Sequence, residues 1–272
     1  MKNKISLAGD LGSGKSTVSK ILIDKLGAEY YSTGSIVRSI AEKMNMSVVE
    51  LNKYMETHPE IDHEIDDGLR ALSLVDKLLI IDSRMAWHFT EGTFKVYLSC
   101  DIETSALRIM NANRQGEHSA SLEATVADTA ARRASEMKRY FEQYGVNIKD
   151  LTNYTLVVDT TLASPEEIAS VILSSFDEWQ RDKSFSRAFI SPERLNYPDD
   201  EPNAELLAEY SSALESGGEI PPVTVFEENG EFYIEGGAES ALAYAFNMTA
   251  FIPCRLVSGT PSGKYVKMKN SI

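Results

Sequence analysis

Short apolar runs alternate with longer stretches of helical periodicity over the first 180 residues of the chain. Five apolar runs have the length and composition of buried strands, and they lie at 3–8, 28–32, 77–82, 94–99 and 155–160. Helical patterns occupy the intervals that follow, at 15–26, 35–44, about 47–74, 102–113, 122–143 and 164–179. Strands that alternate with helices predict an α/β fold, a three-layer sandwich with a parallel sheet between two layers of helices.

The pattern changes after residue 180. Residues 181–203 are polar, contain three prolines and show little periodicity. Beyond them, two alternating strands flank Asn229-Gly230, a strong hairpin signal, and other elements are predicted at 204–215 (helix), 239–247 (helix) and 251–257 (strand), before a loosely structured tail. We therefore predict a large domain at 1–180, a linker at 181–187 and a small α+β C-terminal domain at 188–272.

Acidic side chains outnumber basic ones in both parts of the chain. Residues 1–180 hold 19 Lys and Arg against 27 Asp and Glu, and residues 181–272 hold 8 against 14. The net charge of −14 disfavours a nucleic acid or a membrane surface as a partner, and neither is expected. No apolar run has bilayer length and the first residues lack a signal-peptide pattern, so a cytoplasmic location is predicted, with Cys100 and Cys254 as buried reduced thiols.

The segment between the first predicted strand and the first predicted helix is rich in glycine. From residue 9 it reads GDLGSGKS and fits the pattern G-x-x-x-x-G-K-[ST], whose backbone amides surround a phosphate. Lys15 is placed to reach the β- and γ-phosphates of a nucleoside triphosphate, and the Ser16 hydroxyl is placed to bind Mg²⁺. The sequence thus predicts a P-loop NTPase fold with ATP-binding residues Gly9, Gly12, Ser13, Gly14, Lys15, Ser16 and Thr17.

A second metal-binding signal lies at the end of the third predicted strand. Residues 78–82 read LLIID, an apolar strand that ends in a carboxylate. In P-loop proteins a strand of this kind usually supplies the second contact to Mg²⁺. We therefore predict a magnesium site formed by Ser16 and Asp82.

Residues that follow the second and third strands predict a site for a phosphate acceptor. Small polar groups come directly after the second strand, and Arg84 lies at the carboxyl end of a central strand, where α/β sheets bind ligands. The predicted acceptor-binding residues are Ser32, Thr33, Gly34, Arg38 and Arg84. The chain lacks the N-K-x-D signature of GTPases, and its motif spacing suits a small-molecule kinase better than a motor or an AAA-type ATPase.

Further arginines predict a lid that closes over the transferring phosphoryl group. The candidates in and after a polar segment are Arg114, Arg132, Arg133 and Arg139. Guanidinium groups on a closing lid, together with Lys15 and Arg84, can neutralise the charge on that group during catalysis. Alternatively, the arginines of the predicted helix form ordinary surface pairs with Glu136.

Several segments of residues 1–180 resemble the cytidylate kinase family in its short form, which lacks the long nucleotide-binding insertion. These segments are GDLGSGKSTVSK, YYSTGSIVR, ETHPEID, IIDSRMAW, and RRASEMKRYFEQYGVNI before TLVVDT. In the family they correspond to the P-loop, the acceptor site, the phosphate-binding arginine and the lid helix. The resemblance implies an acceptor monophosphate held by Thr33, Gly34, Arg38 and Arg84. It also implies ATP and Mg²⁺ held by Lys15, Ser16 and Asp82.

The chain departs from this family inside the P-loop. It carries Asp10-Leu11 where short-form members tend to have Pro-Pro or Pro-Ser. An acidic side chain near bound phosphates is tolerable at a variable position if it points away from them.

The C-terminal part is similar to the ParB/sulfiredoxin-like fold. The matching pieces are ISPERL, IPPVTVFEENGEFYIEGG, the helix that follows and FIPCRLV. Catalytic or nucleotide-binding members carry G-H-x-R or H-H-R after the strand, whereas this chain has GGAES at 236–240. Because His and Arg are missing there, the resemblance implies a regulatory, docking or dimerisation element that binds another protein or a second copy of the chain.

Together these features predict ATP-dependent phosphoryl transfer to a nucleoside monophosphate, and the resemblance implies CMP or dCMP. Two alternatives stay open. One is a kinase for another small acceptor, and the other is a non-catalytic regulator that binds ATP and signals through the C-terminal part. Release of ADP that depends on the acceptor separates the enzyme from the regulator.

Overall fold

A computed structural model describes residues 4–112 and 121–267 of the chain. The first part contains five parallel strands, as predicted: β1 (Lys4–Gly9), β2 (Glu29–Ser32), β3 (Leu79–Asp82), β4 (Thr93–Ser99) and β5 (Leu156–Asp159). Their order is β2-β3-β1-β4-β5, so β1 is the central strand and pairs with β3 and β4. Every residue of β1 is buried, as expected for a strand covered on both faces.

Helices connect these strands. In chain order they are α1 (Lys15–Leu26), α2 (Thr33–Lys43), α3 (Val48–Met55), α4 (Pro59–Ala71), α5 (Ala86–Phe89), α6 (Ile102–Asn111), α7 (Leu122–Tyr144) and α8 (Pro165–Arg181). The helical stretch predicted at about 47–74 is divided in two, because Pro59 begins a new helix and disfavours helical backbone before it. Within the two described ranges, no helix is long and apolar enough to cross a membrane.

Apolar side chains fill both faces of the sheet. On one face α1 and α8 pack together over the strands, and their Val18 and Ile172 are fully buried. On the other face α4, α5 and α7 contribute Leu69, Ala86 and Tyr140 to a second apolar cluster. Helices on both sides of a parallel sheet form the three-layer α/β sandwich that the sequence predicted.

Further strands extend the same sheet beyond β5. They are β6 (Arg187–Ile190), β7 (Leu195–Pro198), β8 (Val223–Glu228), β9 (Glu231–Gly236), β10 (Ile252–Leu256) and β11 (Tyr265–Lys267), accompanied by α9 (Ala204–Glu215) and α10 (Ala238–Phe246). The order continues β5-β6-β10-β8-β9-β7-β11, which makes one continuous eleven-stranded sheet in the described residues. Strands β8 and β9 form the antiparallel hairpin predicted around Asn229-Gly230.

Two segments predicted to be irregular contain strands instead. Strands β6 and β7 lie within residues 181–203, and β11 lies in the tail. Each has only three or four residues, too few for an alternating pattern to be recognised in the sequence. Neighbouring strands supply their hydrogen-bonding partners, since β6 lies between β5 and β10, and β11 pairs with β7.

Both cysteines are free and buried, as predicted. Burial raises the pKa of the Cys100 and Cys254 thiols, which keeps both in the neutral form near neutral pH. Neither thiol therefore has the lowered pKa of a reactive cysteine.

Candidate active site

The glycine-rich loop leaves the sheet at the carboxyl end of its central strand. Strand β1 ends at Gly9, which pairs with Leu98 of β4, and α1 begins at Lys15. The amide groups in the first turn of a helix have no partner within the helix, and the helix dipole adds partial positive charge there. The loop and the start of α1 therefore have the backbone geometry that attracts an anion.

Gly12 holds the loop against a neighbouring helix. Its φ is +74°, and a Cβ atom added there would lie 2.4 Å from the carbonyl oxygen of Ser105 on α6. A larger residue would be strained by this backbone conformation and would also push the loop away from α6. The glycine at position 12 is thus required by the close approach of two backbones.

The side chain of Lys15 folds back onto the first residues of the loop. Its Nζ donates hydrogen bonds to the carbonyl oxygens of Gly9 and Asp10, at 3.0 and 2.9 Å. Burial lowers the pKa of Lys15 to about 7, and the positive charge of Arg84 adds to the shift, although nearby carboxylates oppose it. A nearby multivalent anion would favour the charged form of this amine, so the position suits phosphate binding.

A groove lies beside the start of α1. Its lining includes Gly12, Ser13, Gly14, Ser16, Thr17, Arg108, Asn111 and Pro165. It encloses about 400 Å³, a volume in the range of small-molecule binding sites. Ser13 is fully buried, and its Oγ has no hydrogen-bond partner among the described residues. A buried hydroxyl without a partner is expected where a bound ligand completes the site.

Arg108 is a groove residue that the sequence analysis missed. It lies on α6, and its Nη2 donates to the carbonyl oxygens of Thr160 and Thr161, at 2.7 and 3.2 Å. These bonds hold the guanidinium between α6 and the loop after β5. Its position within a predicted helix carries no signal that separates it from a surface arginine.

Asp82 lies at the carboxyl end of β3, opposite Leu7 of β1. Its Oδ2 accepts a hydrogen bond of 3.0 Å from the Tyr30 hydroxyl, and its charge acts on Lys15. A carboxylate and the hydroxyl of Ser16 are hard oxygen ligands that fit Mg²⁺, which commonly binds one or two protein groups together with substrate phosphates. Within residues 4–112 and 121–267, no cluster of three or more His, Cys, Asp or Glu forms a complete metal site of protein groups alone.

A second cavity has Arg84 in its lining. It encloses about 70 Å³, and its lining includes Thr33, Gly34, Arg38, Asn52, Asp62, Asp66, Asp82, Arg84, Arg132, Glu136 and Arg139. Four of the five residues predicted to bind the acceptor are therefore gathered around one cavity. Ser32, the fifth, caps α2, where its Oγ accepts a hydrogen bond from the Ser35 amide at 3.4 Å. Its predicted role in acceptor binding stays a prediction.

Glu136 joins two of the predicted catalytic arginines. One carboxylate oxygen accepts a hydrogen bond from Arg84 Nε at 2.7 Å, and the other accepts one from Arg132 Nε at 3.2 Å. Burial raises the pKa of Glu136, but the two guanidinium groups outweigh it and bring the pKa to about 2. The alternative of a surface pair at Glu136 is wrong, because this carboxylate is only 5 % exposed. The i,i+4 spacing of Arg132 and Glu136 was visible in the sequence, but their burial was not.

Arg139 lies deeper in the same cavity. Its Nε is 2.8 Å from the carboxylate of Asp62, and its Nη1 donates to the carbonyl oxygen of Asn52 at 3.1 Å. Both members of the ion pair are only 3 % exposed. The structure thus places Arg139 in the wall of the second cavity.

Arg133 points toward the underside of the loop. Its Nη2 donates to Ser105 Oγ at 3.2 Å and lies 3.5 Å from a carboxylate oxygen of Asp10. Asp10 is also bound by Lys149, at 3.0 Å, a lysine in the turn after α7 that no sequence motif singled out. Arg114 lies outside the described residues, so its predicted role stays a prediction.

The comparison with protein families agrees with this geometry. The model of the cytidylate kinase-like family matches residues 4–162, which is more than half of the chain. The chain belongs to this family. The match covers the loop, the second cavity and the helix that carries Glu136, whereas the groove extends beyond it to Pro165.

Two curated relatives show the range of proteins that share this cytidylate kinase-like segment. A cytidylate kinase of Thermoplasma volcanium is 35% identical over 187 residues, which cover 67% of this chain and 96% of that protein. An S-adenosylmethionine-dependent nucleotide dehydratase of Lacinutrix mariniflava is 34% identical over 180 residues, which cover 65% of this chain but only 37% of that protein.

The C-terminal part lies beyond the family match. A solved sulfiredoxin from Arabidopsis thaliana covers 27% of this chain, with 18% sequence identity and a TM-score of 0.25. A TM-score this low does not establish a common fold. The cytidylate kinase-like assignment therefore applies to residues 4–162, and the role predicted for 188–272 stays a prediction.

Proposed function

We propose that this chain transfers the terminal phosphoryl group of ATP to a nucleoside monophosphate, with CMP or dCMP as the acceptor. One observation carries the proposal: Arg84 and Glu136 line both the acceptor cavity and the smaller cavity beside Gly9 and Asp10 of the loop. A donor phosphate on the loop and an acceptor phosphate in the second cavity would then meet at one guanidinium. Transfer reactions need this shared position, because most of their catalysis comes from placement and charge neutralisation.

The donor half of the proposal rests on the loop. Lys15 and the amides at the start of α1 would hold the phosphates of ATP, and Ser16 and Asp82 would hold Mg²⁺. Bound there, Mg²⁺ would supply positive charge near the phosphates. The groove with Arg108 and Pro165 offers room for the rest of the nucleotide.

The acceptor half rests on the second cavity. Thr33, Arg38 and Arg84 offer a hydroxyl and two cations to the phosphate of the acceptor. In the transfer, a phosphate oxygen of the acceptor forms a bond to the γ-phosphorus of ATP. The bond from that phosphorus to the bridging oxygen breaks, and ADP leaves with the electron pair. Lys15 and Arg84 would neutralise the charge that spreads over the transferring group.

The Asp62–Arg139 pair supports cytosine as the acceptor base. A carboxylate that accepts and a guanidinium that donates lie 2.8 Å apart in the cavity wall. Cytosine carries an amino donor next to acceptor atoms, whereas uracil has a carbonyl oxygen in place of the amino group. The carboxylate would therefore bind the cytosine amino group and repel the uracil oxygen. The name of the Lacinutrix relative, a nucleotide dehydratase, also supports nucleotides as the ligands of this segment.

An acceptor panel tests the proposal. ADP release is measured with ATP and Mg²⁺ in the presence of CMP, dCMP, UMP, AMP or simple alcohols. We expect the highest kcat/KM with CMP or dCMP. Turnover with only a non-nucleotide would identify a kinase for another small acceptor. Tight ATP binding without turnover on any acceptor would identify a regulator, and either result would overturn the proposal.

A further inference from the structure

Asp10 places a negative charge inside the loop that is proposed to hold a triphosphate. The residue is only 4 % exposed. Its side chain accepts hydrogen bonds from the Tyr97 hydroxyl at 2.9 Å and from the Cys100 amide at 3.0 Å. It therefore points toward β4 and away from the groove. Its charge nevertheless remains next to the backbone that would bind phosphate.

Lys149 is the cation closest to this carboxylate. Its Nζ lies 3.0 Å from Asp10 Oδ1 and donates to the Tyr97 hydroxyl, also at 3.0 Å. Arg133 is farther away, at 3.5 Å, and shares its guanidinium with Ser105. Burial raises the pKa of Asp10, but Lys149 and then Arg133 outweigh it and bring the pKa to about 2. Asp10 is therefore ionised near neutral pH.

A buried carboxylate and a bound polyphosphate repel each other strongly, because the protein interior screens charges poorly. A cation paired with the carboxylate can remove this repulsion without contacting the nucleotide. The Lys149 ammonium group is directed at Asp10 and the Tyr97 hydroxyl, and Lys149 lines neither the acceptor cavity nor the groove that holds Ser16 and Arg108. Its position therefore suits a counter-ion to the loop better than a ligand of the phosphates.

We propose that Lys149 is a positioning residue that allows the loop to bind a triphosphate by neutralising Asp10. The proposal deepens the donor half of the proposed function and rests on it. It predicts that the effect of removing Lys149 disappears once Asp10 has lost its charge. A lysine that contacts the phosphates directly would behave differently, because its removal would weaken binding whether or not Asp10 is charged.

The hairpin of the C-terminal part also faces this lysine. Glu227 of β8 accepts a hydrogen bond from the Gly230 amide, and burial raises its pKa although the charge of Lys149 opposes the shift. Glu227 is thus a second carboxylate that interacts electrostatically with Lys149. Removal of its charge should leave Lys149 fully available to Asp10, so Glu227→Gln is expected to bind ADP at least as tightly as the parent.

The test is a double-mutant cycle read by equilibrium binding of ADP with Mg²⁺ to the full chain. Lys149→Met should weaken ADP binding about tenfold or more, whereas Lys149→Arg should stay within about threefold of the parent. In the Asp10→Asn background, Lys149→Met should change ADP affinity by no more than about twofold. Lys95→Met is the matched control, since Lys95 is a half-buried lysine on β4 whose Nζ lies 5.5 Å from the Trp87 ring centre.

Lys149→Met alone leaves the buried Asp10 charge without its partner and can fail to fold. The comparison of Asp10→Asn with Asp10→Asn/Lys149→Met still tests the inference, because neither of these variants contains a charge at position 10. A tenfold loss of ADP affinity between Asp10→Asn and Asp10→Asn/Lys149→Met would overturn the inference. That result would leave the proposed function intact, because the parent would still bind ADP. Absence of ADP binding by the parent would instead overturn the proposed function together with the inference.

Discussion

At the scale of single residues, the candidate site consists of buried charges that neutralise one another. Glu136 pairs with Arg84 and Arg132, and Asp10 pairs with Lys149 beside the loop. Buried charges are costly unless they are paired and hydrogen-bonded. Each carboxylate therefore also fixes the position of the cations that it pairs with.

Replacement of Glu136 by Gln should weaken acceptor use more than donor binding. The amide keeps the shape of the side chain but loses the charge that orients Arg84 and Arg132. We expect kcat/KM for CMP to fall about tenfold or more, with the KM for ATP changed less than about threefold. Steady-state kinetics with each substrate varied in turn measure both effects. Glu142→Gln, an exposed change on the same helix, is the control. Unchanged CMP kinetics in Glu136→Gln would contradict the orienting role.

At the scale of elements, function depends on how closely helices approach the loop. Helix α6 packs against Gly12, and Arg133 of α7 reaches Ser105 of α6 and Asp10 of the loop. The loop is therefore held by two helices as well as by its own strand. A small displacement of α6 would change the positions of the amides that face a phosphate.

Comparison of Gly12→Ala with Gly27→Ala should distinguish an effect on nucleotide binding from an effect on stability. The new Cβ would meet Ser105 O at 2.4 Å, so the loop must move and ADP affinity should fall about tenfold or more. The matched control is Gly27→Ala at the other end of α1, where φ is +62° and no atom lies within 4 Å of the added Cβ. It should lower the free energy of unfolding by about 1 kcal/mol and leave ADP binding unchanged. Equal ADP affinity for both variants would show that the contact with α6 is unimportant.

At the scale of the whole molecule, one sheet runs through both predicted domains. Strand β6 pairs with β5, and apolar residues from both parts, such as Tyr154 and Ile190, belong to one cluster. Arg194, from the C-terminal part, contacts the buried carboxylate of Asp159 at the end of β5 and donates to the Gly230 carbonyl oxygen at 2.9 Å. The division at 181–187 and the docking or dimerisation role of 188–272 stay predictions.

Arg194→Met should destabilise the entire chain. The change leaves Asp159, which is fully buried, without its cationic partner, and burial already raises the pKa of this carboxyl group. A loss of about 3 kcal/mol in the free energy of unfolding is expected. Denaturant unfolding measures it, with Lys267→Met as the control, because that lysine forms an exposed pair with Glu231 and should cost less than about 1 kcal/mol. Similar losses in both variants would contradict a special role for the pair at β5.

The sequence by itself determined the five strands of the first 180 residues, most of the helices between them, the loop with Lys15 and the family. These features follow from local patterns: apolar runs of strand length, helical periodicity and a glycine motif with fixed spacing. The positions of Thr33, Gly34, Arg38 and Arg84 after predicted strands also indicated that they lie at one edge of the sheet, because the carboxyl ends of parallel strands lie together. It missed β6, β7 and β11, which are short and depend on neighbouring strands for their hydrogen bonds.

Only the tertiary structure decided which charges are buried and with which partners. Glu136 and Arg132 have the spacing of an ordinary surface pair, but the approach of Arg84 from β3 makes them part of a buried group. Lys149 carries no motif and reaches Asp10 across 139 positions of the chain. Ionic contacts depend on distance in space and on exclusion of water, and neither quantity is encoded in local sequence pattern.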